Sequence, residues 1–382
     1  MNAGDELSLP SSHGCQNWVK FNIFAPCFYE SQNVKMETEE LNQREKAILR
    51  SIVQQFILTA TPVGSRNITK KYDIGFSPAT VRNIMSDLED SGFINHPHTS
   101  AGRVPTDKGY RFYVDSLMDI EKLNTKEKGL IEDGLSSITI EADDLVKITS
   151  RLLSSITKQI ACVTYPNLES GILEKIQIIS LTSTKILAVI SIRSGMVKTI
   201  TMELDTEMRE SQLESVQSIL NERLAGLSLE EIRNTFKERF KDADDDQKPI
   251  IRLFVDSVDK LFKDDTKSDR LIVTGAKNII QQPEFEHPEN FQSIIELIED
   301  KDVIIHIMEK SSESNKEEVY ISIGSENVEK KLKEYSFVSK EYKFGESSGT
   351  LGIIGPKRME YSRIVAIVDY LAKVLSEQLK SR

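Results

Sequence analysis

The chain has 382 residues, of which 39% are hydrophobic and 29% charged, with a net charge of −11; that length suits two or three domains with proper cores. Cys15, Cys27 and Cys162 are too few and too scattered for a disulfide framework or a thiolate zinc site, and no apolar run reaches membrane-spanning length. Asp5 and Glu6 stand where a secretory signal would carry basic residues, so the expected compartment is the cytoplasm.

The acidic total hides an asymmetry. From Asn42 to Asp115 there are 10 Lys/Arg against 7 Asp/Glu, a local net of +3 that leaves −14 for the rest. A basic head on an acidic body suits a nucleic-acid-binding module joined to a sensing or assembly domain.

Residues 1–36 contain Trp18, Phe21, Phe24, Phe28 and Tyr29 without a sustained period, which predicts a disordered extension and a natural start at Met36. Asn42 and Glu45 form a capping-box pattern ahead of a helical stripe of Ile48, Leu49, Ile52, Val53 and Phe56. Thr61-Pro62 stops that helix, and Ser65 is expected to cap a short second one carrying Ile68 and Tyr72.

A third helix follows. Ser77 is an N-cap, Pro78 fits the first helical position, and Gly92 closes the segment. Val81, Ile84, Met85 and Leu88 make its buried stripe, leaving Ala79, Thr80, Arg82 and Asn83 outward near the front. Arg and Asn grip purine edges bidentately, and small neighbours permit close approach. "FINHPHTSAGRVPT" then predicts a hairpin carrying His96, His98 and Arg103, with Thr106 or Asp107 capping the next helix. Three helices and a basic hairpin are the plan of a winged helix-turn-helix, although a structural three-helix bundle has the same element order.

Residues 125–160 predict one or two helices, followed by strands in "ILEKIQIISL", "KILAVISIR" and "MVKTITMEL" and a helix near 210–224. From about 228 to 313 the chain turns to charged helices, split by "KDADDDQKP". Strands resume in "EEVYISIGSEN" and "GTLGIIGPKRM" before a final amphipathic helix. This order suggests a sheet domain interrupted by an insertion.

Catalytic chemistry finds little footing. His96-Pro97-His98 offers two metal nitrogens without a third ligand nearby, and "GESSGTLGIIGPKRM" lacks the Gly-Lys-Ser/Thr ending of a phosphate loop. Lys357 and Arg358 read equally as solvated charges or interface residues. No nucleophile motif is present. A non-enzyme with no cofactor and no metal is expected.

"PVGSR", "SPATVRN", "HPHTSAGRVPTDKGYRFYVD", "QPEF", "IGSEN" and "GIIGPKRMEYSR" stand in the order seen in the HrcA family of bacterial heat-inducible transcription repressors, and the chain resembles that family from Leu41 to Leu379. The resemblance implies an α+β multidomain fold: an N-terminal winged helix-turn-helix and a GAF-like α/β domain interrupted by an inserted dimerisation domain. Mapped onto this chain, the winged helix spans 37–118, the GAF-like domain 119–227 and 314–382, and the insertion 228–313. It also implies a homodimer on double-stranded DNA with an inverted-repeat, CIRCE-type operator, and dependence on a GroEL-type chaperonin whose occupation under heat relieves repression. No membrane partner is expected. The candidate DNA-contacting set is Ser65, Arg66, Ser77, Ala79, Thr80, Arg82, Asn83, His96, His98, Arg103 and Lys108. Within it Thr80, Arg82 and Asn83 are expected on base edges and Arg66, Arg103 and Lys108 on phosphates. The alternative function is a winged-helix regulator gated by a small ligand in the GAF-like domain.

Overall fold

A computed structural model describes residues 41–380, apart from 73–74, 98–101, 137–141, 168–169, 205–206, 208, 242–250, 252, 255, 258–269, 280, 286–287 and 315–317. The expected N-terminal extension, the tip of the hairpin and the acidic loop therefore lie outside the described residues. So do His98, Cys15 and Cys27.

The head begins as its local signals dictate. Helix α1 (Gln43–Thr59) starts at Asn42, whose side chain accepts from the backbone of Arg44 and Glu45 while Glu45 closes the capping box. Ala60 ends it in a left-handed conformation. Helix α2 (Ser65–Lys71) is capped by Gly64 rather than by Ser65, which is its first helical residue and is buried. Helix α3 (Pro78–Asp90) starts at Ser77, whose hydroxyl accepts from the Thr80 amide at 3.2 Å. The chain then reverses through Gly92 at φ +73°. Strands β1 (Ile94–Asn95) and β2 (Val104–Pro105) pair antiparallel, and Thr106 caps α4 (Asp107–Phe112).

Behind the head, α5 (Thr125–Ser136) and α6 (Ala142–Thr157) lead into β3 (Ile160–Thr164). Next come β4 (Leu173–Thr182), β5 (Lys185–Ile192), β6 (Val197–Glu203), α7 (Glu210–Leu224) and α8 (Leu229–Arg239). The chain continues with β7 (Leu271–Thr274), α9 (Ala276–Ile279), α10 (Pro288–Glu299), α11 (Lys301–Ser314) and β8 (Tyr320–Ile323). It closes with β9 (Tyr335–Phe344), β10 (Ser347–Pro356) and α12 (Tyr361–Lys380). The molecule is α+β. Among the described residues no helix is long and apolar enough to cross a membrane.

Two larger sheets organise the body. The five-stranded one runs β7-β3-β10-β9-β8 with antiparallel neighbours throughout, and the three-stranded one runs β4-β5-β6. Alternation along β3 divides the core: Ala161 and Val163 join the cluster that contains α12 and the head, whereas Ile160 and Cys162 face α10 and α11. Burial pushes the Cys162 thiol up to about 12, so it behaves as a small apolar side chain.

The β4-β5-β6 sheet has its own core. Leu173, Ile176, Ile190, Leu213, Leu220, Ile232 and Phe236 pack together there, apart from the larger sheet. Since β3 and β7 are neighbours in the five-stranded sheet, everything between them is an excursion from it. The 228–313 stretch expected as a single insertion is thus divided. Its first helix buries Leu229, Ile232 and Phe236 with β4–β6, while Leu271, Leu297, Ile304 and Met308 belong to the larger sheet. Composition along the chain marks where charge accumulates, not which core each helix enters.

Candidate nucleic-acid interface

Helix α3 sorts its residues by period. Val81, Met85 and Leu88 are buried against α1 and α2, and Ile84 is half-buried. Ser77, Ala79, Arg82 and Asn83 are exposed, while Thr80 is half-buried with its hydroxyl 3.0 Å from that of Ser77. The Arg82 and Asn83 side chains make no hydrogen bond or ion pair with any described residue. A charged fork and an amide are therefore held on a helix with no side-chain donor engaged by another described residue. Arg66 on α2 is exposed in the same way. Sequence reasoning passed over Ser86, Asn67 and Lys70, which are equally exposed. Ser86 lies three and four residues beyond Asn83 and Arg82, so helical spacing already placed it on that stripe.

The two arms of the expected hairpin pair as β1 and β2, and both are tied to α3. Glu89, on the last turn of α3, receives Arg103 from the second arm, with Nε at 2.8 Å and Nη2 at 2.7 Å from Oε2. Its other oxygen meets His96 Nδ1 from the first arm. One carboxylate thus ties both arms to the helix. Backbone pairing continues past β2, since Val63 and Arg103 exchange hydrogen bonds at 2.8 and 2.9 Å. Gly102 is required for this approach, because a Cβ there would stand 2.5 Å from the Val63 carbonyl.

Lys108 also has structural work. Its ammonium donates to the Ser91 carbonyl at 2.8 Å and sits 4.3 Å from the centre of the Phe93 ring. A cation there neutralises the free carbonyls at the C-terminus of α3. Of the expected set, Arg66, Ser77, Ala79, Arg82 and Asn83 stand open together around α2 and α3. Arg103, His96 and Lys108 hold the hairpin and helix in place, and Ser65 is interior.

The head is fixed to the body through α4. Asp107 accepts from the Ser325 amide at 2.8 Å and pairs with Lys357 at 3.1 Å. Arg111 donates through Nε to Glu326 at 2.7 Å and through Nη2 to the Ile321 carbonyl at 2.8 Å. Arg358 forks onto Glu284 and reaches the Ile57 carbonyl at 3.1 Å. Lys357 and Arg358 are interface residues. Their ion pairs, with those of α4, tie the orientation of α3 to the sheet domain.

The family model described as the HrcA protein C-terminal domain matches residues 143–365. The heat-inducible transcription repressor HrcA of Chlorobium phaeobacteroides strain BS1 is 40% identical over 352 residues, spanning 90% of this chain and all of that one. Its namesake in Chlorobaculum parvum is 43% identical over 349 residues, spanning 89% and 98%. A crystal structure of a hypothetical protein at 2.2 Å resolution superposes with a TM-score of 0.59 at 24% identity, covering 90% of this chain and 99% of that one. That likeness concerns the fold.

Proposed function

Because the chain belongs to the HrcA family of heat-inducible transcription repressors, which are not enzymes, we propose that it represses heat-shock chaperone genes as a homodimer on an inverted-repeat, CIRCE-type operator. The observation that carries the reading is the front of α3, where Arg82 and Asn83 stand exposed and uncommitted. In this reading α1–α4 with β1 and β2 form a winged helix-turn-helix, and α3 enters the major groove. Arg82 and Asn83, with Thr80 close by, face bases, whereas Arg66, Arg103 and Lys108 meet phosphates. The five-stranded sheet with its helices is the GAF-like domain.

The inserted dimerisation domain is the unit between β3 and β7. About half of each Ile179 and Leu181 side chain on β4 is exposed, and Val197 on β6 more so, although that unit has a complete core of its own. Apolar surface in excess of core requirements suits contact with a second copy. An inverted repeat needs such a two-fold pair, because one head covers one half-site.

The test is operator binding by fluorescence anisotropy at several salt concentrations. Asn83→Ala should cost about 1–3 kcal/mol and relax specificity at one base pair per half-site. Arg66→Ala should weaken all sequences about equally and flatten the salt dependence. Intact operator preference in Asn83→Ala would show that α3 is not the reading helix.

Release on heating is proposed to run through competition for a GroEL-type chaperonin. The larger sheet joins β3 to β7 across the inserted unit, with Ala161 opposite Thr274, and joins β3 to β10, with Val163 opposite Leu351. Pairing strands so distant in sequence is slow and leaves apolar surface exposed meanwhile. Refolding from denaturant should recover several-fold more operator binding with GroEL and ATP than without. Equal recovery at growth and heat-shock temperatures would remove the chaperonin from the mechanism.

A further inference from the structure

The last turn of α3 gathers charge at the base of the hairpin. Glu89 shares a stripe with Arg82 and Ser86, at i, i+4 and i+7, about 10 Å behind Arg82 along the helix. Its two oxygens are divided between the arms: Oε2 receives Arg103, and Oε1 receives the Nδ1 of His96. Asp90 follows it on α3 and is exposed, while Asp87 lies on the far side of the helix. Lys108 on α4 brings a cation to the Ser91 carbonyl, and the backbone bridge from Arg103 to Val63 adds no charge. Glu89 and Asp90 thus offset Arg103 and Lys108. The net charge of this face is decided by His96.

The bond to Glu89 also fixes which ring nitrogen can act. A carboxylate only accepts, so Nδ1 carries a proton and donates it to Glu89. Nε2 is then the nitrogen that gains a proton when the ring becomes charged. No described residue bonds to it, and 35% of the side chain stays exposed although Nδ1 is engaged. In a neutral ring Nε2 presents a lone pair, which a phosphate oxygen repels. In a charged ring it presents a donor, which the same oxygen accepts. One proton therefore converts His96 from a repelled group into a phosphate ligand, and the bond to Glu89 persists through the change.

We propose that His96, oriented by Glu89, is a proton-coupled contact to the DNA backbone, so that each head takes up a proton as it binds its operator half-site. The inference rests on the DNA-binding reading above and adds a regulation to it: the grip on phosphate, and not the choice of bases, follows pH. Position supports the assignment. The major groove is about 12 Å wide, so with Arg82 and Asn83 over base edges a side chain two turns back meets the phosphate wall. Guanidinium and ammonium groups in general stay charged through the neutral range, so a response there belongs to an imidazole. The bound state holds more protons than the free one, and affinity therefore falls as pH rises.

The test is operator binding by the full chain, followed by fluorescence anisotropy between about pH 6 and about pH 8 at constant salt. The Kd should rise at least about tenfold across that range, as loss of a charge-assisted hydrogen bond in each head requires. The salt dependence should be steeper at the acid end, by roughly 0.9 in log–log slope for each head. The ratio of affinities for the operator and a scrambled duplex should stay constant. His96→Gln should bind at every pH as wild type does at the alkaline end. His96→Lys keeps its charge throughout, and should retain at the alkaline end most of the affinity that wild type has at the acid end. If either variant melts early, calorimetry of the wild-type complex near neutrality, in two buffers of different ionisation enthalpy, reads the proton uptake directly. Affinity that is flat with pH, zero proton uptake, or a pH response that survives in His96→Gln overturns the inference and leaves the DNA-binding reading intact. Absence of operator preference at every pH removes that reading, and the inference falls with it.

Discussion

Arg111→Ala should lower the unfolding free energy by about 3 kcal/mol, measured by urea denaturation, and weaken operator binding even though Arg111 touches no base. The guanidinium is 14% exposed and its Glu326 partner 23%. Burial works against the charge, but the hydrogen bonds and charges of Glu326 and Asp115 outweigh it and hold the Arg111 pKa above its usual value. Removing the arginine strands Glu326 in a half-buried site and leaves the Ile321 carbonyl without its donor. The residual exposure places the effect at the lower end of the range for breaking a buried pair. Glu326 keeps one bond, from the Ile323 amide at 2.8 Å, so it is not wholly abandoned.

The double substitution Arg111→Met with Glu326→Leu separates charge from packing. Apolar residues of similar volume often replace a buried ion pair with little loss, so most of the stability should return. Operator binding should not return in full, because the bidentate fork that sets the angle between α4 and the sheet is gone. If the double variant bound operator as wild type does, the pair would have no part in orienting the head.

Gly109→Ala should cost about 3 kcal/mol by thermal unfolding, against the usual gain from replacing a helical glycine. An added Cβ would stand 2.1 Å from the Phe93 carbonyl oxygen. That carbonyl cannot retreat easily: it accepts from the Thr106 amide at 3.1 Å, while the Phe93 amide donates to Leu88 at 2.9 Å. The Phe93 ring is held edge-on against Phe112 at 5.3 Å and lies beneath Lys108. Helix propensity offers back only about 1 kcal/mol, so the clash decides the sign. Gly129 in α5 is the control. Nothing lies within 4 Å of a Cβ there, and Gly129→Ala should raise stability by up to about 1 kcal/mol. Two glycines in helices of one chain should thus respond in opposite directions.

Much of the head was legible in the sequence because its signals are local. The Asn42–Glu45 box, the Ser77 cap with Pro78 behind it, the Gly92 reversal and the Val81–Met85–Leu88 stripe each operate within one or two helical turns. The same period that buries one face of α3 leaves Arg82 and Asn83 outward, so the outward front of the candidate interface followed from spacing alone. The strands of the inserted unit were legible too, since one face of that sheet is open and Ile186, Ala188, Ile190 and Ile192 alternate cleanly into its core.

Only the tertiary structure decided the rest. Strand β9 escaped sequence reading because it lies inside the sheet, with Tyr335 to Ser339 all buried and Ser336 and Ser339 satisfied by Tyr361 and Ser311. A strand covered on both faces has no alternation to betray it. Arg103, His96 and Lys108 carry the charges expected of DNA contacts, and their bonds to Glu89 and the Ser91 carbonyl within the head could not be read from spacing. The division of 228–313 between two cores, and the assignment of Lys357 and Arg358 to the junction, depend on which elements meet. Local patterns report a residue's own turn or strand, whereas its partner across the fold is chosen by packing among elements far apart in the chain.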